Sequence, residues 1–288
     1  MKNFELFLEL TRLKKPIGFM LLFWPCLWGL TLTLRFSDDY FIFVKHCFLF
    51  FCGAVLMRSA GCIVNDILDR KIDTMVERTK NRPIASGKIS IQKSLIYVLI
   101  LCSIALLILI QFNQKTIILG LASMPFAFSY PLMKRFTYWP QLFLGVTFNY
   151  GLIMAWVSLT NEFSYYPLIL YFGAIFWTLG YDTIYGYQDI KDDEIIGVKS
   201  TSIKFKHNPK KFIFLCYLIF YLSILFLGLI MNYSKFYFLF SILIFVHLSF
   251  YQNKLLDISD PKTCLKKFKS NNLLGFIIFI NILLGNYL

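Results

Sequence analysis

Apolar residues along this chain gather into runs too long for a soluble core, and polar residues are confined to the short connections between them. Such runs can be drawn at roughly 17–35, 41–64, 90–112, 116–130, 138–159, 165–187, 211–231, 234–251 and 271–288. A bilayer core about 30 Å thick needs around 20 apolar residues in helical form. Backbone groups in lipid must also satisfy one another within the segment, which favours helices. The pattern therefore predicts an all-α, polytopic membrane protein of about nine transmembrane helices, the fourth of them short, packed around a central cavity. No break divides the chain, so residues 1–288 are read as a single transmembrane domain.

Composition agrees with the pattern. Hydrophobic residues make up 58% of the 288 and aromatic residues 19%, with mean hydropathy +0.63, whereas soluble domains run nearer 45–50% apolar. The charged leader from Lys2 to Lys15 has no small-residue cleavage site, so the first run is expected to remain as a helix in the mature protein.

Charge then orients the bundle. The segments 1–15, 66–90, 131–137, 188–211 and 252–270 hold 23 Lys and Arg residues, against only Arg35, Lys115 and Lys235 in the alternate connections. Basic loops stay cytoplasmic, so the N-terminus is expected inside and the C-terminus outside. The net charge of +13 is then explained by topology and anionic lipid, with no need of nucleic acid. The seven cysteines form no C-x-x-C pair and the three histidines lack zinc spacing, so neither a disulfide framework nor a soft-metal site is expected.

Two acid-rich segments stand out against this background: Asn65-Asp66-Ile67-Leu68-Asp69-Arg70-Lys71-Ile72-Asp73, and Asp182 through Asp193. Both fall at the basic, cytoplasmic side. Acids at the end of a membrane helix are expensive unless they face a cavity or a metal. On a continuous helix, Asn65, Asp69 and Asp73 would stack on one face with Asp66 about 100° round. The second segment repeats the device with Asp182, Tyr185, Asp189 and Asp193. Hard oxygen ligands suit Mg²⁺ or Mn²⁺ held jointly with substrate phosphates. Arg70, Lys71, Arg78, Lys80 and Arg82 follow at once, in a loop suited to clamping phosphate oxygens.

These residues carry a resemblance. Asn-Asp-x-x-Asp-x-x-x-Asp followed by Arg78-Thr79-Lys80-Asn81-Arg82-Pro83, then Tyr181-Asp182-Thr183-Ile184-Tyr185-Gly186-Tyr187-Gln188-Asp189 with Asp192-Asp193 and Gly197-Val198-Lys199-Ser200-Thr201, resembles the two signatures of the UbiA superfamily of intramembrane prenyltransferases. Arg12-Leu13-Lys14-Lys15-Pro16-Ile17-Gly18, Met57-Arg58-Ser59-Ala60-Gly61-Cys62 and Tyr130-Pro131-Leu132-Met133-Lys134-Arg135 extend the likeness toward the branch that prenylates 4-hydroxybenzoate in ubiquinone biosynthesis. Ser59 and Gly186 depart from that pattern, where glycine and alanine are frequent, and leave the acids intact.

The resemblance implies transfer of a polyprenyl group from its diphosphate to the ring carbon ortho to the hydroxyl of 4-hydroxybenzoate. It implies that Asn65, Asp69, Asp189 and Asp193 hold two Mg²⁺ ions on the diphosphate. Asp66 and Asp73 would complete the catalytic acid set as support for that shell. Arg78, Arg82, Lys134 and Arg12 would bind the diphosphate, and Tyr130 and Tyr185 would face the allylic cation. Arg58, two turns deeper than Asn65, would pair with the acceptor carboxylate. The partners are then a polyprenyl diphosphate, 4-hydroxybenzoate and the bilayer, with no nucleic acid and no obligate protein partner. The expected location is a bacterial inner membrane, with the active site toward the cytoplasm. Other acceptors (a naphthoate, homogentisate or haem) stay open. So does a non-enzymatic cation transporter, which would set its acids opposite one another at mid-membrane.

Overall fold

A computed structural model describes residues 2–37 and 39–288, without the side chains of Lys2 and Asn3. Among the described residues, eight helices are long and apolar enough to cross a membrane, and a shorter apolar helix precedes them. In chain order they are α1 (Ile17–Thr33), α2 (Tyr40–Leu68), α3 (Ile91–Leu109), α4 (Gln114–Phe136), α5 (Pro140–Thr160), α6 (Tyr165–Gly186), α7 (Pro209–Ile230), α8 (Lys235–Lys254) and α9 (Pro261–Tyr287). The chain is an integral membrane protein, and among the described residues there is no strand.

Local chemistry starts these helices. Asp39, Ser90 and Asn113 accept hydrogen bonds from the backbone N–H of Ile42 (2.9 Å), Lys93 (3.3 Å) and Thr116 (2.9 Å). Each satisfies a donor that an open helix end leaves free. Pro140, Pro209 and Pro261 stand in first turns, where the missing N–H is harmless. The fourth span is longer than the expected 116–130. Pro131 does not end it, because a 3₁₀ turn over Tyr130–Leu132 takes in the proline and the chain continues helically to Phe136.

Close packing organises the bundle. A Cβ on Gly173 would collide with Ser223 and one on Gly180 with the Tyr217 ring, so small residues bring α6 against α7. At the acidic end, a polar cluster joins four spans. Trp177 Nε1 donates to Asn271 Oδ1 (2.8 Å), as does Gln252 Nε2 (2.8 Å), and Tyr217 OH donates to Gln252 Oε1 (2.6 Å). Asn271→Leu is therefore expected to destabilise the protein by about 1–3 kcal/mol, since it orphans buried donors on α6 and α8. Thermal unfolding in detergent measures this.

The connections sort to two ends. At one, Glu77 N–H donates to Asp192 Oδ2 (3.1 Å), Arg135 donates to the Leu68 carbonyl (2.6 Å), Lys199 N–H donates to the Lys134 carbonyl (2.9 Å) and Lys210 reaches the Lys254 carbonyl (3.1 Å). At the other, Lys115 donates to the Asn161 carbonyl (2.7 Å), and Arg35 and Tyr233 both reach Asn286 near the C-terminus. All four basic connections between spans thus meet at one end. The leader helix Lys2–Thr11 joins them through Arg12.

Candidate active site

Both acidic motifs sit where a membrane helix stops. Helix α2 runs four residues beyond its apolar run, then breaks at Asp69 (φ −93°, ψ 4°), and Arg70–Asp73 forms a separate single turn. The expected continuous row of Asn65, Asp69 and Asp73 is therefore interrupted. Asp73 belongs to a second element and turns to the following loop. Likewise α6 ends at Gly186, and Asp189 stands just ahead of a short helix over Ile190–Ile196, its side chain making no capping bond, and that helix ends at Gly197 in the left-handed region (φ 79°). Asp182 stays behind within the membrane span, so it is not in a ligand row with Asp189 and Asp193. In both places the polar sequence following the apolar run leaves the membrane helix for a short separate helix, and the two segments meet where Glu77 N–H donates to Asp192, an end of the bundle termed the mouth.

Basic side chains knit the two motifs together. Lys134 Nζ lies 2.5 Å from Asp69 Oδ2. Arg78 holds Asp189 in a fork, with Nε donating to both carboxylate oxygens (2.8 and 2.9 Å) and the NH2 nitrogen to Oδ2, while NH1 reaches Tyr185 OH (3.1 Å). Arg82 bridges Asp66 (3.1 Å) and Asp73 (2.8 Å), and Arg12 closes on Asp66 at 2.5 Å. Arg12 takes a left-handed backbone (φ 55°) to do so, a conformation costing ~1–2 kcal/mol in a residue with a Cβ.

Asp66, Asp69 and Asp73 are all buried. Burial raises the Asp69 carboxyl above its ordinary range, with Lys134 opposing. Burial and the neighbouring Asp189 push Asp193 up to about 6. Among the described residues no three acids converge on one point, because Lys134 and Arg78 stand between the two motifs.

Deeper in the membrane lies a second, sparser cluster. Arg58 rests against Phe148, 5.3 Å from the ring centroid, and its buried Nε has no hydrogen-bond partner. Gly18 makes room for it, since a Cβ there would come within 2.9 Å of that nitrogen. Tyr130 and Asp182 share its electrostatic surroundings. Arg58 and Tyr130 form the polar end of a cavity of about 210 Å³ that is otherwise lined mainly by apolar residues of α1 to α5, among them Phe50, Leu109 and Met154. Gly53 and Gly61 face open space, with nothing within 4 Å of where a Cβ would stand.

Against known proteins, the UbiA prenyltransferase family matches residues 22–282. The mitochondrial 4-hydroxybenzoate polyprenyltransferase of Bos taurus is 42% identical over 97% of this chain and 75% of its own length. The chain belongs to the UbiA prenyltransferase family. The 4-hydroxybenzoate octaprenyltransferase of Psychromonas ingrahamii is 38% identical over 98% of this chain and 96% of its own. Among solved structures, an apo UbiA homolog from Aeropyrum pernix aligns with TM-score 0.76 at 20% identity, over 91% of this chain and 96% of that one. A UbiA homolog from Archaeoglobus fulgidus bound to GPP and Mg²⁺ aligns with TM-score 0.71 at 17% identity, over 96% and 99%. These two share the fold.

In this UbiA family member, the sequence-derived residues divide by depth. Asn65, Asp66, Asp69, Asp73, Arg78, Arg82, Lys134, Asp189, Asp193 and Arg12 gather at the mouth, with Tyr185 beneath Arg78. Arg58 and Tyr130 lie below with the cavity. Two contributors escaped the sequence reading: Gly18, whose missing side chain seats Arg58, and Asp182 as Arg58's neighbour. Spacing held the second signal, since Asp182 precedes Asp189 by seven residues just as Arg58 precedes Asn65. The mouth suits a divalent ion. Asp69 Oδ1 is buried without a hydrogen-bond partner, an unsatisfied hard acceptor of the kind Mg²⁺ prefers, and the surrounding donors are carboxylate and amide oxygens.

Proposed function

We propose that this chain transfers a polyprenyl group from its diphosphate to the ring carbon ortho to the hydroxyl of 4-hydroxybenzoate, releasing diphosphate, as a step of ubiquinone biosynthesis. The observation that carries this reading is the cavity, apolar along its length and ending at a lone membrane arginine directly below the acid–base mouth. A polyprenyl tail fits the apolar part, an aromatic carboxylate fits Arg58, and a diphosphate fits the mouth. Nearly full-length similarity to 4-hydroxybenzoate prenyltransferases supports the acceptor. No observation favours a transporter, because the acids of the mouth gather at one end and not across mid-membrane.

Asn65, Asp69, Asp189 and Asp193 are the residues that would hold Mg²⁺, which supplies Lewis-acid stabilisation of the departing diphosphate. Arg78 and Lys134, already at the same carboxylates, would turn to diphosphate oxygens and add fixed positive charge where negative charge develops. Arg82 keeps Asp66 and Asp73 together, and Arg12 braces Asp66 from the leader, so these two acids act as support. Tyr130 and Tyr185 offer ring faces to the allylic cation between the two clusters. The apolar wall excludes water that would quench it.

The chain acts as one domain, multi-pass, with its mouth on the cytoplasmic face of a bacterial inner membrane or the equivalent face of a mitochondrial one. Detergent-purified protein given 4-hydroxybenzoate, prenyl diphosphates of graded length and Mg²⁺ should yield the ring-prenylated acid by mass spectrometry. Absence of that product with every donor would overturn the reading.

The cavity wall supports a donor-length prediction. Gly53→Phe places a ring in open space without touching the mouth. Turnover of long-chain donors should fall at least about tenfold more than that of the shortest one, a loss on the order of 1.4 kcal/mol. Competition between two donors in one reaction measures the ratio.

A further inference from the structure

Among the described residues one lysine is buried, Lys267 near the start of α9, at 5% exposure. Its ammonium lies over the face of Tyr251 on α8, 3.5 Å from the ring centroid. No carboxylate of a described residue comes within 4.0 Å of Nζ, and neither Nζ nor the Tyr251 hydroxyl makes a hydrogen bond there. A cation taken out of water without an anion is costly, and a ring face compensates only in part. Nζ is not one of the sealed, unpartnered polar atoms, so it keeps an open face. His247 packs on the same tyrosine (ring centroids 5.2 Å), and its Nε2 lies 3.2 Å from Ser270 Oγ. His247 and Tyr251 of α8 thus meet Lys267 and Ser270 of α9 across one groove. The α8 wall is a π-helix over His247–Lys254, a rare backbone form that recurs at functional sites.

The groove lies where charge gives way to lipid. Along α9 the exposed stripe reads Lys266 and Lys269, then Leu273 (56% exposed) and Phe276 (48%). Along α8 it passes from Phe250 to Lys254. On both helices the change falls beside Lys267. Lys254, Lys262, Lys266, Lys267 and Lys269 outnumber Asp257 and Asp260 in this connection, and both acids are engaged within their own turns, by the N–H of Ser259 (2.9 Å) and of Lys262 (3.0 Å). We propose that the groove binds the phosphate of an anionic phospholipid. One phosphate oxygen takes the Lys267 ammonium, and a second has the Tyr251 hydroxyl beside it. The acyl chains lie along Leu273 and Phe276, and the exposed lysines favour a headgroup of net negative charge over a zwitterion. The site is separate from the apolar cavity, whose walls come from α1 to α5. Phe268, the next residue along, packs on Tyr181 (5.7 Å) and Tyr185 (4.5 Å), so the bound lipid braces the start of α9 against α6.

The test titrates the full chain, purified in a neutral detergent, with phosphatidylglycerol or phosphatidylcholine of matched acyl chains. Native mass spectrometry counts bound lipid, and heating follows unfolding. Phosphatidylglycerol should bind more tightly and raise the unfolding midpoint further. Lys267→Met keeps the stem and loses the charge. It should weaken phosphatidylglycerol by roughly tenfold or more, as for a lost charge-assisted hydrogen bond, and abolish the preference over phosphatidylcholine. Lys262→Met removes an exposed charge from the same connection and should change binding by less than about fivefold. Lys267→Arg should retain binding, and Lys267→Gln replaces the methionine variant if that one fails to fold. Equal effects of Lys267→Met and Lys262→Met, or no preference for phosphatidylglycerol in the unsubstituted protein, would overturn the proposal. So would inorganic phosphate that displaced the lipid and gave the same Lys267-dependent stabilisation, since the groove would then serve a soluble anion.

Discussion

Asp69→Asn and Asp189→Asn should each lower kcat at least about 100-fold in the reconstituted prenyl transfer, while the bundle stays folded. An amide keeps the shape of the carboxylate and removes the charge that holds a hard divalent ion. A single lost electrostatic contact to a developing oxyanion already costs ~10²–10³ in kcat. Here the loss compounds, because the same carboxylates position Lys134 (2.5 Å from Asp69) and Arg78 (forked onto Asp189). Part of the effect will be structural. Asp69 is buried, and Lys134 loses its only ion-pair partner among the described residues, so a charge-assisted bond worth on the order of 2 kcal/mol goes with it. Thermal unfolding separates this from the catalytic loss. Chelation by EDTA should stop the unsubstituted protein and added Mg²⁺ should restore it. Full turnover in chelator would rule out a metal-held diphosphate.

Arg58→Ala should weaken 4-hydroxybenzoate much more than the prenyl donor. Truncating one member of a buried charge pair costs ~2–5 kcal/mol, and Arg58 lies below the mouth, in contact with Phe148 and the cavity. Donor affinity, set by mouth residues, should change little. An acceptor with a neutral group in place of its carboxylate should lose a similar amount with the unsubstituted enzyme and little more with the variant, the non-additivity of groups in contact. Kinetics for both proteins with both acceptors complete the cycle. Additive losses would separate Arg58 from the carboxylate, and a selective loss of donor binding would move it to the diphosphate.

Much of the architecture is written in periodicity and charge. Apolar run length determined the spans, because the bilayer demands about 20 apolar residues with internally paired backbone. Loop charge determined which connections share an end: the 66–90 and 188–211 loops meet through Glu77 and Asp192, far apart in the chain but alike in sign and side. The acids at the mouth were equally legible, since Asp and Asn at helix ends in lipid have few other uses.

What local pattern leaves open is where a helix stops and whom a charge meets. Helical spacing put Asp73 in a row with Asn65 and Asp69, whereas a break at Asp69 hands Asp73 to Arg82. Spacing also put Asp182 with Asp189, whereas the end of α6 at Gly186 leaves Asp182 in the membrane beside Arg58. Only the packed bundle decides these partners. Lys134 comes from α4 to reach Asp69, Arg12 comes from the leader to reach Asp66, and Gly18 leaves the gap that Arg58 fills. By itself the sequence determined the class of the protein, its spans and its reactive residue types, because hydrophobic burial and charge placement act along the chain. Tertiary structure decided the pairings and the cavity, because those depend on contacts between helices that no single helix encodes.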